Sequence, residues 1–187
     1  CLFALAYLAW LYVRICDPNI AHTEQPMDLT MLQSLWNTRE YPPNDLWLAG
    51  YPVSYYYFGY WLQLIPAHLV GCPPNLTYNL AQAAWFALLI QGFYGLGFNL
   101  FKRFKTSLKP AVLGGTFMAL YILLSSNLKG LISSLTTDGH YWWWWGASRA
   151  ARDGAIELIT EFPFFSFLLG DNHPHLLALP LMALFVS

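Results

Sequence analysis

Charge is scarce in these 187 residues: nine Lys or Arg and ten Asp or Glu make up 10% of the chain, against about 25% in soluble domains. Since 57% of the chain is hydrophobic and 18% aromatic, that scarcity excludes a disordered chain and an ordinary water-soluble domain. A net charge of -1 leaves no basic surface to neutralise a run of phosphates, so no nucleic-acid module is present. Cysteine is scarce too. Cys1, Cys16 and Cys72 form no C-x-x-C pair, which excludes a cysteine metal knuckle, and an odd number cannot all pair within the chain. Cys16 and Cys72 could pair in an oxidising compartment; free thiols near a membrane are the simpler reading. Internal repeats and low-complexity tracts are lacking, so one all-α, polytopic helical membrane domain over 1–187 is expected.

What the chain does have is apolar length. Tyr78 to Phe101 is 24 residues without a charge and Pro110 to Leu128 is 19 more, each enough to cross a hydrocarbon core of about 30 Å. Cys1 to Val13 and Leu176 to Ser187 are apolar but shorter, and are expected to be pieces of spans cut at both ends. Between the two long runs lies Lys102-Arg103-Phe104-Lys105-Thr106-Ser107-Leu108-Lys109, basic and without an acid, which the positive-inside rule places in the cytoplasm. Ser54 to Gly71 has nearly the length of a span but carries Gln63, Pro66 and His68 among its aromatics. Phe58, Leu62, Ile65 and Leu69 recur at helical spacing, with Tyr56, Tyr60 and Gln63 on the other face. That division predicts a juxtamembrane helix in an outer loop. All ten acids then face the outside, clustered in Asp17–Asp45 and Asp138–Asp171. A crossing at 54–71 would instead put the first cluster beside the basic loop.

Three constellations could carry chemistry. In His22-Thr23-Glu24-Gln25-Pro26-Met27-Asp28, Pro26 could open a helix with Asp28 in its first turn, where the dipole favours a carboxylate. The same placement suits a general base or a metal ligand above a membrane cavity. Asp171-Asn172-His173-Pro174-His175 follows Glu161 and an apolar run. Asp171, His173 and His175 could cap the helix beginning near Pro174, contact a phosphate or sugar, or ligate a divalent metal. On spacing alone capping is preferred to either role, and phosphate or sugar contact to metal, for which Asp28, Asp171 and His173 are the candidates and none is committed. Third, Trp142 to Trp145 reads as an interfacial anchor before a sugar-stacking platform. Arg149 and Arg152, three apart, would share a helix face and clamp a phosphate, or else pair with Asp153 or Glu157.

Taken in order, Glu24–Asp28 (EQPMD), Tyr41–Tyr60 (YPPNDLWLAGYPVSYYYFGY), Trp142–Arg149 (WWWWGASR) and Glu161–Pro180 (EFPFFSFLLGDNHPHLLALP) resemble the uncharacterised prokaryotic membrane proteins named for their tyrosine triplet, the Chlor_Arch_YYY group. Leu46 stands where that pattern has proline, and Asn172 where it has leucine. The group is in turn similar to the C-type glycosyltransferases (GT-C), polytopic enzymes that move a sugar from a polyprenyl-phosphate carrier to an acceptor outside the membrane.

The resemblance implies a GT-C-like fold with its active site on the outer face of a prokaryotic plasma membrane. It also implies an acidic residue of the first outer loop at the catalytic centre, here Asp28 and then Glu24, with a juxtamembrane helix after it. Arg149, Arg152, Asp171, His173 and His175 are the available contacts for the donor phosphate, and a divalent metal is the possible cofactor. The partners implied are the lipid bilayer and a polyprenyl-phosphate-linked sugar. On this reading a cavity opens outward and to lipid, with Asp28 and His173 on its wall. A transporter instead expects the Asp171–His175 cluster to line a pore, and a structural membrane subunit expects its polar groups to be satisfied locally.

Overall fold

The computed structural model describes residues 1–104, 107–125, 129–136 and 143–187. Proline and glycine set most of the helix limits. The first helix, α1 (Leu2–Cys16), stops before Asp17-Pro18, and α2 (Gln25–Asn37) has Pro26 in its opening turn. Then α3 (Phe58–Val70) is closed by Gly71 at φ 67°, whose N–H meets the carbonyls of the last turn, a left-handed cap that suits glycine. The 30 residues of α4 (Pro74–Arg103) extend about 45 Å. After α5 (Leu108–Leu124) come the short α6 (Lys129–Thr136) and α7 (Trp143–Ala147), a hairpin of β1 (Ala151–Asp153) and β2 (Ile156–Leu158), then α8 (Pro163–Leu169) and α9 (Pro174–Val186).

The core is built around α4, against which α1, α5 and α9 pack. Trp10 of α1 stacks on Phe86 of α4 with ring centroids 4.0 Å apart, and Phe167 of α8 meets both rings edge-on. Between α4 and α5 the backbones themselves approach. A Cβ on Gly114 would fall 2.2 Å from Phe101 Cδ2, and one on Gly97 would fall 2.5 Å from the Gly114 carbonyl oxygen. Small residues at a helix crossing are how helices pack where lipid removes any hydrophobic drive.

Large apolar side chains point outward: Leu5, Leu8 and Ile15 on α1, Leu113, Phe117 and Leu120 on α5, Leu184 and Phe185 on α9. In water such a surface would aggregate; against hydrocarbon it is ordinary. Among the described residues α4 is long and apolar enough to cross a membrane, while α1, α5 and α9 are shorter apolar helices. The expected span Tyr78–Phe101 lies inside α4. The other, Pro110–Leu128, is only partly recovered: α5 ends at Leu124, and 126–128 fall outside the described residues.

The described residues are mostly helical, as expected, with one addition and one correction. Gly154, at φ 59°, turns Asp153 back onto Ile156 and makes a two-stranded antiparallel hairpin; a positive φ at such a position is what a two-residue hairpin turn requires. Arg149 and Arg152 therefore share no helix face. Arg149 follows α7, and Arg152 lies in β1 opposite Glu157.

A helix stands where a juxtamembrane one was expected, as α3, and the expected division of faces is partly recovered. Phe58, Ile65 and Leu69 are exposed and Tyr60 and Gln63 are buried, but Tyr56 precedes the helix and is exposed, and Leu62 is half-buried. The inward face carries Tyr60 and Gln63 together with Leu64 and Ala67.

Candidate functional site

The N-terminal end of α4 is where the two acidic stretches meet. Tyr78 stands there, about a turn inside the helix, while Lys102 and Arg103 occupy its last turn. The basic segment and the acidic constellation are therefore at opposite ends of a 30-residue helix.

Asp28, in the first turn of α2, is wholly buried. Its Oδ1 accepts a 2.5 Å hydrogen bond from the Tyr60 hydroxyl of α3. Its Oδ2 accepts one from the backbone N–H of Asn172 at 2.8 Å, with the Tyr78 hydroxyl at 3.3 Å. Tyr78 has a single proton and a nearer acceptor, the Gly170 carbonyl at 2.9 Å. Three segments distant in sequence thus close on one carboxylate. Burial pushes the Asp28 pKa above the ordinary range, although Tyr60, the Asn172 N–H and His173 all pull it down. The same burial, together with the Asp28 charge, raises the Tyr60 phenol.

The loop after α8 is tied down further. Gly170 caps α8 at φ 88° and lies so close to Arg14 and Gln25 that a Cβ there would sit 2.6 Å from Arg14 Nη1. Gln25 Nε2 donates to the Leu169 carbonyl at 2.8 Å. Thr23 has φ 44°, a left-handed conformation that a β-branched residue adopts at a cost. Its hydroxyl sits on the Asp171 carboxylate, 2.8 and 2.9 Å from the two oxygens. Burial lifts Asp171 to about 7 in spite of that bond and of His173 nearby.

On the outer side of this tie lies an open patch. His173 Nε2 is 2.9 Å from Glu24 Oε2 and 3.8 Å from Asp171 Oδ2, and its Nδ1 is 3.8 Å from Glu161 Oε2. The Glu24 oxygen lies off the line of the N–H, so the buried Nε2 makes no directed hydrogen bond. His175 Nε2 approaches the same Glu161 oxygen at 3.5 Å, and Ser166 Oγ donates to it at 3.1 Å. Burial alone would lower the His173 pKa; interaction with Glu161 and the charges of Asp28, Asp171 and Glu24 lift it to about 9. Glu161 is held below the usual carboxylate range, first by the His173 imidazole. Glu161, His173 and His175 offer donor atoms all within 4.8 Å of one another and could hold a metal ion.

Five of the sequence candidates, Glu24, Asp28, Asp171, His173 and His175, therefore gather at one end of the molecule. Asp28 stands in the first turn of the helix that Pro26 opens, as the dipole reading expects, although neither α2 nor α9 has a side-chain cap hydrogen bond. Arg149 and Arg152 are engaged elsewhere. Arg149 lies over the Trp145 ring and donates to Ser148 Oγ, and Arg152 Nη2 binds Glu157 Oε1 at 2.7 Å, the pairing foreseen as the alternative to a phosphate clamp. Trp142 and Asp138 lie outside the described residues.

The expected cavity differs from what is found. An apolar crevice of about 260 Å³ between α1, α3 and α4 is lined by Tyr7, Gln63, Leu80 and Trp85 among others, and neither Asp28 nor His173 is on its wall. Arg14, Thr23, Tyr60, Tyr78 and Glu161 were not singled out as site residues from sequence. Arg14, the one charge in an apolar helix and almost fully buried with Nε on Asn79 at 2.9 Å, carried the clearest signal.

A family model for an uncharacterised membrane protein, DUF2298, matches residues 1–187. The chain belongs to that family. No curated protein and no solved structure matches it. Membership of DUF2298 makes this a membrane protein, which accords with the outward-facing apolar side chains of α1, α5 and α9.

Proposed function

We propose that this chain is part of a multi-pass membrane glycosyltransferase of the C type, moving a sugar from a polyprenyl-phosphate carrier to an acceptor at the outer face of a prokaryotic plasma membrane. The observation that carries the reading is the junction of EQPMD with GDNHPH: Asn172 N to Asp28 at 2.8 Å, and Glu24 beside His173 at 2.9 Å. Acid–base groups from distant parts of the chain meet at one end of α4, opposite the basic segment that the positive-inside rule assigns to the cytoplasm.

In this reading the two acids of the first loop divide the work. Glu24 has a side chain 60% exposed and can take the proton of an acceptor hydroxyl. Asp28, enclosed by two tyrosines and a backbone N–H, acts as a positioning residue that fixes the loop bearing His173. As the glycosidic bond to the carrier breaks, negative charge grows on the departing phosphate. The positive charge of His173 is placed to meet it, with the His175 imidazole beside it. Arg149 and Arg152, bonded locally, have no part in the step.

The test is turnover of a panel of polyprenyl-phosphate sugars by the protein in liposomes. Glu24→Gln is expected to lower turnover about 100-fold or more. Asp28→Asn, which keeps the volume and part of the hydrogen bonding, is expected to cost less. Absence of turnover by the unmodified protein across the panel overturns the reading, and sugar uptake without bond cleavage would replace it with a transporter.

A further inference from the structure

We infer that Glu161, His173 and His175 form a binding site for one transition-metal dication of the zinc class. The inference goes beyond the proposed reaction and holds whichever substrate the protein takes.

The spacing comes first. His175 Nε2 and His173 Nδ1 lie 3.5 and 3.8 Å from the same Glu161 oxygen. Those gaps are too long for hydrogen bonds. They are, however, close to the separation of neighbouring ligands around a single ion, roughly 3.4 Å for tetrahedral metal–ligand bonds of about 2.1 Å; the three donor atoms lie within 4.8 Å of one another, so an ion would draw the rings slightly together. The donor set is two imidazoles and one carboxylate, which suits zinc and its neighbours and not magnesium or calcium, whose ligands are oxygens.

The backbone prepares the arrangement. Pro174 opens α9, leaving His173 at the N-cap with extended ψ 145° and His175 in the first turn. The two rings stand 5.6 Å apart by centroid. Glu161 precedes α8, and Ser166 of that helix holds the oxygen both histidines face.

A second, independent observation lies behind the ring. If His173 ligates through Nδ1, its Nε2 turns toward Glu24 at 2.9 Å and Asp171 at 3.8 Å. A carboxylate that accepts from the far nitrogen of a ligating histidine is the recurring outer support of protein metal sites, because it fixes the tautomer and the ring orientation; here the buried Nε2 is still without a directed partner, and a small turn of the ring toward an ion would bring it onto Glu24. Asp171 is itself held by Thr23, so the support is anchored.

Access is one-sided: the side chains of His173 and Glu161 are 13% and 14% exposed, that of His175 55%. An ion would enter past His175 and keep a coordination position turned to the same side. With one carboxylate in its shell, a dication would leave net charge +1 there for a phosphate or a bound water.

The experiment is calorimetric titration of chelator-stripped protein in nanodiscs with Zn²⁺, and with Co²⁺ followed by its visible absorption. One ion per chain is expected, with a cobalt spectrum showing nitrogen and oxygen ligation. Glu161→Gln and His175→Ala should each weaken binding at least 100-fold, and Glu24→Gln 10- to 100-fold through the outer support. Glu40→Gln, at an exposed position, should change nothing. His175 is half-exposed, so its removal should leave the fold intact, which thermal unfolding without metal verifies. No Zn²⁺ binding, equal affinity in His175→Ala, or a response to Mg²⁺ alone would each overturn the inference. None of these readouts depends on sugar transfer, so the metal site and the proposed reaction can fail separately.

Discussion

Asp28 and Glu24 lie four residues apart and meet opposite fates. Asp28 is fully buried, with a donor on each oxygen, the Tyr60 hydroxyl and the Asn172 N–H, and the Tyr78 hydroxyl close by. Glu24 is largely exposed, and its close partner is a histidine with which it makes no well-directed hydrogen bond. One turn of helix is enough to place one acid inside the junction and the other at its rim. A carboxylate enclosed on both oxygens and shut off from solvent is out of a substrate's reach and instead fixes the segments that touch it. An unsaturated one retains capacity for a proton or an ion. Under the proposed reaction, the contrast would give architecture to Asp28, Tyr60 and Tyr78, and reactivity to Glu24, Glu161, His173 and His175.

The sharpest way to break that division is Asp28→Leu. It strands the Tyr60 hydroxyl and the Asn172 N–H in a buried site, at about 1–3 kcal/mol for each unsatisfied group. Destabilisation of about 3–5 kcal/mol is expected from thermal unfolding in detergent, with loss of the docked 170–175 loop reported by proteolysis. If the variant stays as stable as the parent but loses turnover, Asp28 belongs with the reactive group and the division is wrong. Tyr60→Phe is the milder form. It removes the 2.5 Å donor to Oδ1 and leaves the rest, for an expected cost of about 1–3 kcal/mol.

Sequence made some of this junction legible. The uncharged run of α4 and the basic segment after it were plain, and so was the density of polar groups in EQPMD and DNHPH. The inward partner of Asp28 was hidden for a physical reason. Periodicity divides a helix into two faces but does not say which faces the protein, and beside lipid the apolar face of α3 turns outward. Tyr60 and Gln63 therefore read as surface residues, yet they are among the most buried. Arg152 was misplaced because a two-residue turn at Gly154 depends on one positive φ, while a three-residue spacing of arginines fits a helix equally well. Glu161 could be seen as one polar residue of a cluster, but its meeting with two histidines depends on how α8 folds back.

The next effect is smaller and depends on pH. Burial raises the Asp28 pKa above that of the unfolded chain, which is about 3.9. The folded state therefore holds this proton more tightly than the unfolded state. The stabilisation from that proton is complete below about pH 4 and is lost as pH rises through the folded value. Asp28→Asn removes the titration. Melting temperatures measured from pH 4 upward should fall with pH more steeply in the parent than in the variant. Parallel curves would mean that the carboxylate is ionised and fully compensated in place.

The smallest effect is expected at Arg152. Its side chain is 65% exposed, and its partner Glu157 lies directly across the hairpin with a side chain 49% exposed. Water and salt screen such a pair, and ordering two long side chains offsets most of the attraction, so Arg152→Gln should change stability by no more than about 0.5 kcal/mol. Turnover should hold too, because the residue's hydrogen bond is spent within its own hairpin. The exchange variant Arg152→Glu with Glu157→Arg, which keeps the pair and moves the positive charge across the hairpin, sharpens the point. Were Arg152→Gln to cut turnover tenfold at unchanged stability, with the exchange variant failing to restore it, the position of the charge would matter more than the pair. The hairpin would then have to be counted with the reactive rim.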